Sequence, residues 1–191
     1  MITGFGRLGS WLGSGRFGLE PDMITTAKGL TSGYAPLGAV IVGPRVAEPF
    51  WRRGSAEVFR HGYTYSAHPT GCAVGLANLD LIEREQLISR VAALEPVLAA
   101  RLAPLAEHDL VSEVRAGTGL LAAVEITADA RAADPGIGPR LVAGIRDRGV
   151  ITRLVGGSAL QVSPPFIITE QEIDRIAGTF AAALDAIAGS S

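Results

Sequence analysis

The chain has 191 residues, 48% hydrophobic and 19% charged, which suits one or two globular domains with a sizeable core and excludes a disordered chain. A formal net charge of −2 gives no electrostatic case for nucleic acid or an anionic membrane. The single cysteine, Cys72, excludes an internal disulfide, and with no apolar run approaching a membrane span and no basic stretch plus apolar core at the start, the expected location is cytoplasmic.

Residues 1–20 are glycine-rich and aperiodic and read as a loop. Met23 to Thr26 and Ala39 to Gly43 are short apolar runs bounded by Gly and Pro, the pattern of strands in a buried sheet. A helix is expected after Pro44, with Val46, Pro49, Phe50 and Trp51 on its apolar side, followed by a polar connector over 52–62. Ser66 is placed to cap a helix over 68–85, with Pro69 in its first turn where a missing N–H costs nothing. A second long helix is expected over 86–107, where Pro96 and Pro104 predict a kink or break.

Beyond that point the pattern becomes α+β. Two strands over 110–115 and 119–127 flank the turn Gly117-Thr118-Gly119. Pro139 opens a helix that Gly149 stops, and short strands over 150–154 and 159–162 surround Gly156-Gly157-Ser158. Thr169-Glu170-Gln171-Glu172 fits a capping box, with Ile173, Ile176, Phe180, Leu184 and Ile187 on one helical stripe. The change of pattern predicts two domains, 1–95 and 96–191.

Chemistry concentrates at a few positions. Lys28 stands where an apolar run meets the Gly- and Ser-rich stretch Lys28-Gly29-Leu30-Thr31-Ser32-Gly33, in a chain whose basic residues are nearly all Arg. A desolvated lysine amine loses its proton and attacks carbonyls; taken alone, a solvated surface lysine is the commoner fate. Thr64, in a tight turn beside Tyr63, offers a hydroxyl to a phosphate oxygen or simply stabilises the turn. Arg153 stands ahead of Gly156-Gly157 and by itself reads as an ordinary surface arginine. Gly4-Phe5-Gly6-Arg7-Leu8-Gly9 matches a dinucleotide fingerprint only formally, since no strand precedes it and no helical pattern follows. His61 and His68 have no acid or thiol spaced to join them in a metal site.

Four ordered segments carry a family resemblance over nearly the whole chain: Thr3-Gly4-Phe5-Gly6-Arg7, Thr26-Ala27-Lys28-Gly29-Leu30, His61-Gly62-Tyr63-Thr64-Tyr65-Ser66-Ala67-His68-Pro69, and Ser163-Pro164-Pro165-Phe166-Ile167-Ile168-Thr169. Together they resemble the C-terminal part of class III aminotransferases, enzymes that use pyridoxal phosphate (PLP). The resemblance implies fold type I of the PLP-dependent transferases: a residual piece of the large α/β domain followed by a C-terminal α+β small domain. It implies transamination between an amino acid or amine and a keto acid, aldehyde or ketone, with Lys28 as the Schiff-base lysine and proton shuttle. Tyr63 and Thr64 would reach the cofactor site of the neighbouring subunit in a homodimer, and Arg153 would hold a substrate carboxylate. In the family an Asp-Glu pair precedes the first segment, and Met1 stands near that place here. The pyridine-nitrogen carboxylate and the phosphate-cradling turn are therefore expected outside this chain, and the isolated polypeptide is expected to be inactive or nearly so. An aminomutase or racemase of the same family, or a non-catalytic dimerising fragment, are the alternatives.

Overall fold

The computed structural model describes residues 1–189, and the chain falls into two compact units, one from Met1 to Ile88 and one beginning at Ser89.

In the first unit, the glycine-rich opening contains only one helical turn, α1 (Gly13–Arg16). Strands β1 (Met23–Thr26) and β2 (Ala39–Val42) pair antiparallel, with Met23 opposite Val42 and Thr26 opposite Ala39. The Thr26 hydroxyl reinforces that register by donating to the Ala39 carbonyl at 3.2 Å. The apolar runs predict a buried sheet, yet β2 is exposed along all its residues; among the described residues its sheet has two strands, too few to bury a face by themselves. Helix α2 (Pro44–Trp51) starts on Pro44 as expected but buries none of its residues; Arg45 pairs with Asp22 at its base.

Helix α3 (Pro69–Arg84) also starts on a proline, and its N-cap is His68 without a side-chain cap bond. Ser66, the expected cap, works one turn earlier: its Oγ accepts the Tyr63 N–H at 3.0 Å.

Helix α4 (Leu87–Leu102) runs through Pro96 without a break. Pro96 forfeits one bond of the helical ladder, while Val91, Leu94, Leu98 and Leu102 are buried along one face; burial of four side chains, at about 1.5–3 kcal/mol each, outweighs the proline penalty of about 3 kcal/mol. Pro104 falls in a following 3-10 segment, Ala103–Glu107.

The second unit is an antiparallel sheet in the order β3-β4-β6-β5, made of β3 (Val111–Arg115), β4 (Ala122–Ile126), β5 (Leu154–Val155) and β6 (Ala159–Val162). Along β4, Ala122, Val124 and Ile126 are buried and alternate with half-exposed residues, the period-two pattern of a sheet with one face on a core. That core is closed by α6 (Ile137–Asp147) and α7 (Glu170–Ala188), with Leu141, Ile145, Leu160, Ile173 and Leu184 fully buried. A short helix, α5 (Ala128–Ala133), sits where no helix is expected; Thr127 caps it by accepting the Ala130 N–H at 3.2 Å.

The expected capping box is complete at α7. Glu172 accepts the Thr169 N–H at 2.8 Å, and Thr169 Oγ1 accepts the Glu172 N–H at 3.3 Å. The Thr169 backbone bond, then the Thr169 hydroxyl, hold the Glu172 carboxyl below the usual carboxylate range.

Candidate active site

Past Thr26 the chain is extended at Ala27 and then turns sharply, with Lys28 at a φ of 51°. A residue with a side chain in this left-handed region costs about 1–3 kcal/mol and persists only where its surroundings over-determine it. Lys28–Leu30 forms a single 3-10 turn, closed by the Leu30 N–H on the Ala27 carbonyl at 3.1 Å and the Thr31 N–H on the Lys28 carbonyl at 3.2 Å. Ser32 (φ 50°) and Gly33 (φ 83°) complete the bend. Phe5, Lys28, Ser32 and Ala67, four of the non-glycine residues with positive φ among the described residues, fall inside the segments that the sequence singles out.

The neighbours that fix this turn are identifiable. A Cβ on Gly29 would lie 3.1 Å from Phe5 Cβ, so the Gly4-Phe5-Gly6 segment packs directly under the lysine turn and would have to give way by a few tenths of an ångström to any side chain there. Phe5 itself is buried, 8% exposed. A Cβ on Gly38 would approach the Thr26 carbonyl to 3.3 Å, which brings the Gly33-to-Ala39 stretch against the end of β1. Thr31 is buried and donates its hydroxyl to the Ala35 carbonyl at 2.7 Å. From α3, the Asn78 carboxamide reaches the carbonyls of Gly29 and Leu30 at 2.9 and 3.1 Å. Burial pushes the Arg7 guanidinium below its ordinary value.

Lys28 is exposed and is the chain's only lysine. What the turn offers is therefore one reachable primary amine on a rigid, strained backbone.

Tyr63 and Thr64 lie in the same unit in a fully exposed turn, 77% exposed at Tyr63. The turn is closed by the Ser66 N–H on the Tyr63 carbonyl at 2.9 Å. Edge-on ring contacts run Phe50–Phe59–His61–Tyr63, the last pair with centroids 5.2 Å apart. Among the described residues no hydrogen bond joins this turn to the Lys28 turn. Thr64 is exposed.

Arg153 belongs to the second unit, just before β5, and is exposed. Its Nε donates to Gln161 Oε1 at 2.7 Å, and Gln161 Nε2 donates to Ser163 Oγ at 3.0 Å. Its side-chain partner is thus a neutral amide, and it makes no ion pair among the described residues. Arg153 lines a cleft of 490 Å³ together with Ser163, Pro164, Glu172, Arg175, Ile176 and Phe180.

The signature loop beside this cleft is held from α4: Arg90 donates to the carbonyls of Phe166, Ile167 and Ile168 at 3.0, 3.3 and 2.6 Å. Arg90 and Asn78 are the two organising residues that sequence reasoning misses. The available signal was a polar residue on an apolar or small-residue helix face: Asn78 follows Gly71 and Gly75 at helical spacing.

No group of three His, Cys, Asp or Glu side chains able to hold a metal ion occurs among the described residues. Nor is any helix of the described residues long and apolar enough to cross a membrane.

Comparison with known proteins gives one family. The model for "Aminotransferase class-III" matches residues 1–184. The chain is 44% identical over 185 residues to the diaminobutyrate–2-oxoglutarate transaminase of Halomonas elongata, covering 92% of this chain and 39% of that protein. It is 40% identical over 181 residues to the putrescine–pyruvate aminotransferase of Pseudomonas aeruginosa, again covering 92% and 39%. The solved structure of a thermostable (S)-enantioselective omega-transaminase from Thermomicrobium roseum superimposes with a TM-score of 0.87 at 41% identity, covering 98% of this chain and 42% of that one. The chain spans about two fifths of the length of the curated relatives it matches.

Proposed function

The chain belongs to the class III aminotransferase family, whose model it matches from residue 1 to residue 184, and from that premise we propose that it carries the cofactor-lysine part of a PLP-dependent transaminase. Its fold is fold type I of the PLP-dependent transferases, represented by part of the large α/β domain and an α+β small domain. The reaction proposed is transfer of an amino group from an amino acid or amine to a keto acid, aldehyde or ketone. It is attributed to the family's whole length, of which this chain holds the portion bearing Lys28. The observation that carries the proposal is Lys28 itself, the only lysine, held at a φ of 51° on a turn braced by Phe5, Thr31 and Asn78.

The donor set fits the cofactor: a reachable primary amine suits its aldehyde, and the exposed Thr64 hydroxyl suits a phosphate oxygen. When bound, pyridoxal phosphate supplies a ring that accepts the electron pair released at the donor carbon. Lys28 Nζ would hold the group until a donor amine displaces it, and would then carry the proton to and from that carbon. Phe5 beneath Gly29 and the Asn78 bonds keep the backbone of that amine from wandering, which is how positioned acid–base groups gain their rate.

Thr64 is proposed to serve the phosphate of a second copy, making the protein a homodimer with shared sites. The exposure of its turn and the lack of a bond to the Lys28 turn of its own chain support that reading. The test is to co-assemble Lys28→Ala and Thr64→Ala chains at the family's full length. Two individually impaired variants should recover about a quarter to a half of wild-type turnover when mixed, because each mixed dimer regains one intact site; no recovery would sink the shared site.

Arg153 is proposed to bind the substrate carboxylate, since it lines the cleft and makes no ion pair among the described residues. Arg153→Ala should raise KM for a keto acid acceptor by about tenfold or more, the loss of one charge-assisted pair, with an uncharged aldehyde acceptor unaffected. Equal effects on both acceptors would remove Arg153 from the site.

A further inference from the structure

Gly71, Gly75 and Asn78 stand at i, i+4 and i+7 on α3 and so share one face of the helix. A Cβ on Gly75 would lie 3.1 Å from Leu37 Cδ2 and 3.8 Å from the Leu30 carbonyl oxygen, so the helix backbone runs close against the turn that follows Lys28. That approach brings the short Asn78 side chain into range of three groups at once. Its Nδ2 donates to the Gly29 carbonyl at 2.9 Å and the Leu30 carbonyl at 3.1 Å, and its Oδ1 accepts from Ser32 Oγ at 2.6 Å. Both N–H bonds of the amide and one acceptor site are used. The two carbonyls it grips lie between the left-handed side-chain residues of the turn, Lys28 at 51° and Ser32 at 50°, and Ser32 is its third partner.

We propose that Asn78 is a positioning residue that holds the Lys28-to-Ser32 turn in its strained form and thereby fixes where the lysine amine emerges. It does not touch the amine; it acts through the backbone carbonyls that come directly after it. The chemistry selects a carboxamide: two donors and one acceptor are needed on a stem of one methylene. Aspartate would set a carboxylate against two carbonyl oxygens, and alanine would leave those carbonyls and the Ser32 hydroxyl without this partner. The inference rests on the reading of Lys28 as the cofactor lysine.

The test uses this chain with Asn78→Asp, Asn78→Ala and Ser32→Ala, and two readouts. Hydrogen exchange followed by mass spectrometry reads the turn without any cofactor. The amides of Thr31 and Tyr34, which donate to the Lys28 and Thr31 carbonyls, should exchange about fivefold faster in Asn78→Asp, the factor for losing roughly one net hydrogen bond. Amides from Ser89 onward should be unchanged. The second readout is the yield of borohydride-reduced PLP adduct on Lys28, taken as a ratio to the adduct on the Met1 α-amine in the same sample. That ratio should fall about fivefold with the turn, by the same arithmetic, and a role confined to holding α3 would leave it untouched.

Faster exchange with an unchanged ratio overturns the positioning role, and unchanged exchange overturns the clamp itself. If Asn78→Asp and Asn78→Ala fail to fold, Ser32→Ala decides, since it removes only one of the three bonds; it should move both readouts in the same direction by a smaller factor. A wild-type ratio no higher than that of urea-unfolded chain would sink the cofactor reading of Lys28, and the exchange data would then still decide whether Asn78 holds the turn.

Discussion

Lys28→Ala is expected to leave no side chain able to retain PLP after borohydride reduction, so the intact mass should show only what the Met1 α-amine takes up. The expectation is unusually clean because the chain has no second lysine to substitute for the first. At the family's full length the same change should lower amino-group transfer by at least about 10²–10⁴-fold, the range assigned to one positioned acid–base group. Lys28→Arg separates charge from chemistry: it keeps the cation but has no primary amine, and guanidinium is not deprotonated in proteins. It should therefore be as inactive as the alanine variant. A reduced cofactor adduct of undiminished yield in Lys28→Ala would remove the basis of the proposed function.

The largest stability effect expected is at Leu160. It lies on β6, an inner strand of the four-stranded sheet, and is 0% exposed, paired across to Val124 and Leu154. Leu160→Ala removes three buried carbons and leaves a cavity that neighbours on both flanking strands cannot easily fill. The cost should be about 2–5 kcal/mol, a large share of the roughly 5–15 kcal/mol that holds a domain together. In urea, with a slope of about 1–3 kcal/mol per molar, the midpoint of the second unit should drop by at least about 0.7 M. Ile167→Ala is the contrast, because Ile167 is 69% exposed and its truncation should shift the midpoint by no more than experimental scatter. Equal shifts for the two variants would mean that the sheet does not form the core described.

Local signals in the sequence located much of this. The capping box at Thr169, the antiparallel pair around Gly117 and Gly119, and the proline-led starts of α2 and α3 all depend on residues a few positions apart, and each appears where it is expected. The lysine turn was legible for the same reason, as a strand end running into small residues. What stayed hidden depends on partners far along the chain. Asn78 meets Gly29 and Leu30 across 49 and 48 residues, and Arg90 meets Phe166 across 76; no window of sequence contains both ends of such a bond. Of the two prolines expected to kink or break the helix over 86–107, Pro104 lies just past the end of α4, while Pro96 does not break it, because its local penalty is visible in sequence and the burial that overrides it along α4 is not. Ser66 lies at the expected turn but does not cap α3, since its hydroxyl serves the Tyr63 turn and His68 takes the cap position.

Arg90 bears on how portable the Ser163-to-Thr169 signature is. Two of its residues, Pro164 and Pro165, have no N–H to give, so the segment is short of internal donors while its carbonyls still require partners. A guanidinium offers five donors in a flat fork, and Arg90 spends its reach on the three carbonyls that come after the prolines. The loop's shape is thus encoded partly in a helix that precedes it by more than seventy residues. Transplanted without that arginine, the seven-residue motif would keep its letters and lose its conformation.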